Sequence, residues 1–81
     1  MKNATAIRVF GQRLRKLREA RGMSQQELAD YADIAKPTIQ RTEHGQSAVT
    51  LDVLLSLAQA LDVPLHDLVN LSQEEKEWDQ E

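Results

Sequence analysis

Lys36, Pro37, Gln40 and Arg41 are spaced so that a helix would carry all four on one side. Lys36, Gln40 and Arg41 offer oriented hydrogen-bond donors, and Pro37 offers an apolar edge. A guanidinium presents two parallel donors that match O6 and N7 of guanine, and a carboxamide matches N6 and N7 of adenine. Groupings suited to catalysis do not occur: there is no glycine-rich phosphate loop, no cluster of metal ligands and no nucleophile beside an evident base. His44 and His66 stand far apart and cysteine is absent, which argues against a zinc site and excludes disulfides. The residue types predict a binding protein, not an enzyme, with no metal, no cofactor and no small-molecule substrate.

The formal net charge of −3 argues against a polyanionic partner until its distribution is considered. Residues 1–50 carry nine Lys/Arg against five Asp/Glu, whereas residues 51–81 carry one against eight. Lys2, Arg8, Arg13, Arg15, Lys16, Arg18 and Arg21 crowd the first 22 residues beside one acid, Glu19. Such segregation gives a protein one basic face and one acidic end. Basic helix faces are also often merely solvated, so charge alone leaves the partner open. At 81 residues the chain is one domain near the lower limit for a self-sufficient core. Association with a second copy is the remaining source of added stability. No signal peptide or membrane-length apolar run is visible, and the expected location is the cytoplasm, with no membrane partner.

Helical spacing recurs along the sequence and strand-like alternation does not, so the fold class is all-α. No internal repeat is visible. Ile7, Phe10, Leu14 and Leu17 form one apolar stripe of a first helix over about 6–21, which Gly22 ends. Ser24 and Glu27 have the spacing of a capping box, with Met23 and Leu28 placed to staple it. That predicts a second helix over 25–32, followed by a turn at Asp33-Ile34-Ala35. A third helix covers 36–44, with Pro37 in its first turn, Ile39 inward and Gly45 as its stop. Thr50 caps a fourth helix over 51–61, whose stripe is Leu51, Leu54, Leu55, Ala58 and Leu61. Pro64 opens a short fifth helix to about Asn70, with Leu65, Leu68 and Val69 apolar. The expected division is a domain over 1–70 and an acidic tail over 71–81.

Four separated segments agree in order and spacing with one family. Phe10-Gly11-Gln-Arg-Leu-Arg-Lys-Leu-Arg, Arg21-Gly22-Met-Ser24-Gln25-Gln-Glu27-Leu28-Ala29, Thr38-Ile39-Gln-Arg-Thr-Glu43-His-Gly45 and Leu57-Ala58-Gln-Ala-Leu61 closely resemble the phage-repressor/Cro family of helix-turn-helix proteins. The resemblance spans about residues 7–70. It implies a compact five-helix, lambda-repressor-like domain in which helices two and three form the helix-turn-helix.

Roles follow from the resemblance residue by residue. It implies that Lys36, Pro37, Gln40 and Arg41 read bases in the major groove of double-stranded DNA. Ser24, Gln25, Thr38, His44, Gln46, Ser47 and Arg13 are implied as phosphate ligands, with Gln25 also supporting the recognition helix. Arg18 and Glu43 match a structural ion pair between helices one and three. The family turn usually holds glycine where this chain has Asp33, which predicts a positive φ there. Ala35 replaces a common capping hydroxyl. The neutral run Gln46-Ser47-Ala48 departs from the basic residues common in relatives, and Arg8, Arg13 and Arg15 are the available compensation.

The implied function is a sequence-specific transcription regulator, a repressor that binds a roughly palindromic operator as a homodimer. Leu65, Val69, Leu71 and Trp78 are the expected subunit contact, with intramolecular packing the alternative for Trp78. A second reading is an antitoxin-like or adaptor subunit whose C-terminal part binds a partner protein.

Overall fold

The computed structural model describes residues 3–71. Trp78 and the rest of 72–81 lie outside the described residues. Five helices follow in order: α1 (Ala4–Ala20), α2 (Gln25–Ala32), α3 (Lys36–Glu43), α4 (Leu51–Leu61) and α5 (Leu65–Leu68). Among the described residues there is no strand, as the all-α reading requires.

α1 is the longest element and packs against both α3 and α5. That double contact turns its buried face away from the expected stripe. Val9, Gly11, Leu14 and Arg18 are buried, whereas Ile7, Phe10 and Leu17 are only partly covered. The core gathers Leu14 of α1, Leu28, Ala29 and Ala32 of α2, Ile39 of α3, Leu57, Ala58 and Leu61 of α4, and Leu68 of α5. At about 1.5–3 kcal/mol for each large side chain taken out of water, this cluster supplies the main drive to fold.

The start of α2 has the expected chemistry. Ser24 Oγ accepts the Glu27 backbone N–H at 3.0 Å, and Glu27 Oε1 accepts the Ser24 N–H at 2.9 Å. Two of the helix's orphan donors are thereby satisfied. The helix ends on Asp33, which is left-handed at φ 56°, as expected from the sequence. α4 is built the same way. Thr50 Oγ1 accepts the Val53 N–H at 3.2 Å, and the left-handed Asp62, at φ 55°, closes it. In both helices the next residue's N–H returns to an alanine carbonyl, Ile34 to Ala29 and Val63 to Ala58, each at 3.0 Å. This is the six-residue hydrogen bond of a Schellman ending. The local pattern Leu-Ala-x-x-x-Asp, at 28–33 and 57–62, lies behind both endings.

Two expectations about the second half are also corrected. The inner face of α4 is Leu57, Ala58 and Leu61, while Leu51 is 63% and Leu55 44% exposed. The predicted stripe shares Ala58 and Leu61 with this face but is rotated by roughly 50°, because it ran through Leu51 and Leu55 in place of Leu57. α5 is a four-residue helix that stops at Leu68, short of Asn70.

Candidate nucleic-acid interface

α3 is held from behind. Ile39, Thr42 and Glu43 are its buried residues, and they sit against α1 and α2. Gly11 makes the approach of α1 to α3 possible. A Cβ built there would collide with the Thr42 carbonyl oxygen and stand 2.8 Å from that of Glu43. These obstacles are backbone atoms and cannot swing aside. The sequence carried a signal for this contact, a glycine inside a helical pattern, which marks close backbone approach.

Next to that contact lies the principal polar tie. Arg18 Nε donates to Glu43 Oε2 at 2.7 Å and Nη2 donates to Oε1 at 3.0 Å, a two-point pairing of side chains only 10% and 3% exposed. Arg18 Nη1 also donates to the Met23 carbonyl at 2.8 Å, so the one guanidinium joins α1, the entry to α2 and α3. The hydrogen bonds that Arg18 donates to Glu43, with the carboxylate's charge, hold the Arg18 pKa above the ordinary arginine value against the opposing effect of burial. Gln25 completes the group by donating from Nε2 to Glu43 Oε1 at 3.1 Å. Its carboxamide thus braces α3 through Glu43, the supporting role implied by the resemblance.

With its inner side fixed, α3 presents Lys36, Pro37, Gln40, Arg41 and His44 outward, all exposed. No part of the protein covers this face among the described residues. Thr38 is half-buried at its edge, and its carbonyl accepts the Thr42 hydroxyl at 2.7 Å. Ala35 supplies no side-chain cap, so α3 starts on extended backbone geometry and the proline at its beginning. His44 Nδ1 lies 2.7 Å from the Gln40 carbonyl, which can only accept, so this nitrogen carries the proton and Nε2 points away from the bond. The Gln46 N–H donates to the Arg41 carbonyl at 2.9 Å, which folds the 45–47 segment back under the end of α3. Ser24 lies exposed at the start of α2, its hydroxyl already engaged by the cap.

The arginines of α1 depart from expectation. Arg13 donates from Nε and Nη2 to the Asp67 carbonyl at 3.0 and 2.6 Å. It lies about 200° around α1 from Gly11, so it faces α5 and not the α3 side. Arg13 is accordingly withdrawn from the phosphate set. Arg21 Nη2 donates to the Asp62 carbonyl at 3.1 Å, and Arg15 pairs with Glu19 at 3.4 Å. A cation at a helix C-terminus offsets the partial negative charge there. Arg13 and Arg21 do this for α5 and α4, a role that local sequence gives no means of reading because the pairs are 54 and 41 residues apart.

The expected subunit-contact residues fall in two places. Leu65 borders a depression with Leu55, Ala58 and Val63, while Val69 and Leu71 border a separate groove with Ile7 and Phe10. Among the described residues no group of three or more potential metal ligands exists, and no helix is long and apolar enough to cross a membrane.

Comparison with known proteins gives the same architecture. The helix-turn-helix family model matches residues 14–68. A protein of Pyrococcus furiosus named as an HTH-type transcriptional regulatory protein is 41% identical over 59 residues, which is 73% of this chain and 19% of that protein. The HTH-type transcriptional regulator DdrOP3 of Deinococcus deserti is 36% identical over 58 residues, 72% of this chain and 45% of that protein. This chain therefore spans less than half the length of either relative. Among solved structures, the restriction-modification controller protein C.AhdI of Aeromonas hydrophila matches with a TM-score of 0.75 at 42% identity, covering 76% of this chain and 94% of that one. The match to the clp gene regulator ClgR of Corynebacterium glutamicum, TM-score 0.78 at 21% identity, concerns the fold alone. The family match, the helix order and the brace behind α3 together establish that the chain belongs to the helix-turn-helix family, with a lambda-repressor-like fold.

Proposed function

We propose that this chain is a sequence-specific DNA-binding regulator of transcription that inserts α3 into the major groove. The observation that carries the reading is the division of α3 into two faces. One is locked through Ile39, Thr42 and Glu43, and the other offers Lys36, Pro37, Gln40 and Arg41 to solvent. A recognition helix needs both, since base-edge hydrogen bonds discriminate only when their donors are held in register. Arg41 pairs with a guanine, Gln40 with an adenine or a phosphate, Lys36 with guanine or phosphate, and Pro37 touches a thymine methyl. Thr38, His44, Gln46, Ser47, Ser24 and the N-terminus of α2 flank them as phosphate contacts.

The active form in this proposal is a homodimer on a roughly palindromic operator, and the regulatory outcome is repression where the operator overlaps a promoter. The exposed Leu55 of α4, which borders the same depression as Leu65, supports a subunit contact there, and Leu51 is exposed on the same helix. The restriction-modification controller and the named regulators among the relatives support the regulatory role. No catalytic step and no membrane partner enters the proposal.

Selection of bound duplexes from a random pool tests it directly. Two half-sites with centres about one helical turn apart are expected. Arg41→Ala should then weaken binding by about 1–3 kcal/mol and relax preference at one base pair in each half-site. Loss of affinity spread evenly over all sequences would remove Arg41 from the reading face.

A further inference from the structure

His44 closes the outward face of α3 with its ring tied to the helix. Its backbone N–H and its ring Nδ1 both meet the Gln40 carbonyl oxygen, at 3.1 and 2.7 Å. That oxygen only accepts, so a neutral ring carries its proton on Nδ1 and leaves a bare lone pair on Nε2. His44 is exposed, and no hydrogen bond occupies Nε2 among the described residues. The atom left for a ligand is therefore an acceptor.

A phosphate oxygen is an acceptor as well, and two acceptors make no hydrogen bond. The conflict ends when Nε2 takes up a proton. The ring is then a cation that donates from both nitrogens, and its Nε2–H forms a charge-assisted bond to phosphate. Two features favour that state in a complex. Residues 44–50 contain no Lys or Arg, so His44 is the one group in this stretch able to supply positive charge. It also sits at the C-terminus of α3, where the partial negative charge of the helix suits a cation.

The other charges near this end of α3 belong to three helices. α3 itself carries Lys36, Arg41 and Glu43, the last bound to Arg18. α1 brings Arg8, whose Cα stands 2.9 Å from where a Cβ on Gly45 would lie, and Arg15, paired with Glu19. α2 brings Glu27, held in its cap, and Asp30, held by Gln26. Duplex phosphates add negative charge to this set, so a proton on the ring is favoured more in the complex than in the free protein. Imidazole changes charge between about pH 5 and 8, so the proton is available near neutrality. We infer that, in the DNA-binding reading on which this rests, the complex takes up a proton at His44 Nε2, and that His44 is a phosphate ligand only when charged.

By linkage, a proton bound only in the complex makes affinity rise as pH falls. The test is binding of the 81-residue protein to a duplex recovered from the random pool, from about pH 5.5 to 8.5. Ionic strength is held constant, because phosphate contacts are salt-sensitive, and circular dichroism checks the fold at each pH. Affinity should tighten by up to about tenfold per pH unit for each His44 engaged. His44→Gln, whose amide donates at every pH, should flatten the profile. His44→Arg should also flatten it and keep, at the alkaline end, the affinity that the parent protein reaches in acid. His66→Gln, at an exposed position on α5, should leave the profile as it is. A flat profile in the unaltered protein overturns the proton uptake, as does acid tightening that survives His44→Gln. Weakening in acid means that Nε2 accepts from a base amino group, which overturns it as well. The ring nitrogens of the free protein give a reading that needs no DNA: nitrogen NMR above the imidazole range should show Nδ1 protonated, and the opposite tautomer removes the premise. A protein that binds no duplex at any pH defeats the proposed function and the proton uptake together, whereas pH-independent binding defeats the uptake alone.

Discussion

The described residues contain two helical hairpins of the same local design, α2–α3 and α4–α5, and only one of them presents an outward set of hydrogen-bond donors. Each begins with a hydroxyl cap, Ser24 or Thr50, and turns on a left-handed aspartate, Asp33 or Asp62, with nearly identical backbone angles. Each has a proline at the start of its second helix, Pro37 or Pro64. Beyond the turn they diverge. α3 has eight residues, a three-residue buried face and an outward set of donors. α5 has four residues, one buried side chain, Leu68, and an outer side of His66 and Asp67. The turn therefore does not set what the second helix presents; its length, its surface residues and its attachment to α1 do.

Attachment is the part most open to experiment. α1 holds both second helices through arginines on different sides, Arg18 to a buried carboxylate in α3 and Arg13 to a half-exposed carbonyl at α5. The largest effect is expected at the first. Glu43→Ala strands a buried guanidinium and releases Gln25, which should destabilise the fold by roughly 3–5 kcal/mol. Chemical denaturation would show this, and an unchanged midpoint would mean that the pair carries no structural weight. Gly11→Ala should follow at about 3 kcal/mol, because α1 and α3 must separate to admit one methyl group. Thermal melting measures it, and an unchanged or raised melting temperature, as expected for glycine to alanine on a free helix surface, would contradict the close contact.

Arg13→Ala should destabilise by only about 1 kcal/mol, since the carbonyl of Asp67 is left near water. In the DNA-binding reading its affinity for duplex, measured at a temperature where both proteins are folded, should match the parent protein. A marked drop would return Arg13 to the phosphate set. The smallest effects test the equivalence of the turns. Asp33→Gly and Asp62→Gly should each stabilise by about 0.5 kcal/mol, as glycine removes the left-handed penalty and adds unfolded-state entropy in partial offset. Changes of opposite sign at the two sites would show that the hairpins differ in strain despite their matching angles.

What could be read in advance follows the range of the interactions. The capping box at Ser24 and Glu27, the left-handed Asp33 and the limits of α2 and α3 rest on contacts within a few residues, and all appear in the structure as read. The limits of α4 are legible for the same reason, and so are Ala58 and Leu61 of its inner face, whereas Leu57 is not. Leu51, Leu54, Leu55 and Leu57 are equally apolar, and nothing local says which of them α2 will cover. The outward side of α3 was legible because its polar residues share one helical face. The destination of Arg13 was not, because a cation near the N-terminus serves a carbonyl or a phosphate with the same chemistry.

The amino-acid order by itself determined the helices, their caps and turns, and which side chains could form the donor set on 36–41, since each depends on neighbours along the chain. Only the tertiary structure decided which arginines remain outside and which are consumed in holding helix ends. It also decided that Gly11 is a contact and that Leu51 and Leu55 stay exposed. Those outcomes depend on which surfaces meet across tens of residues, where burial and steric fit, not local preference, select the partner.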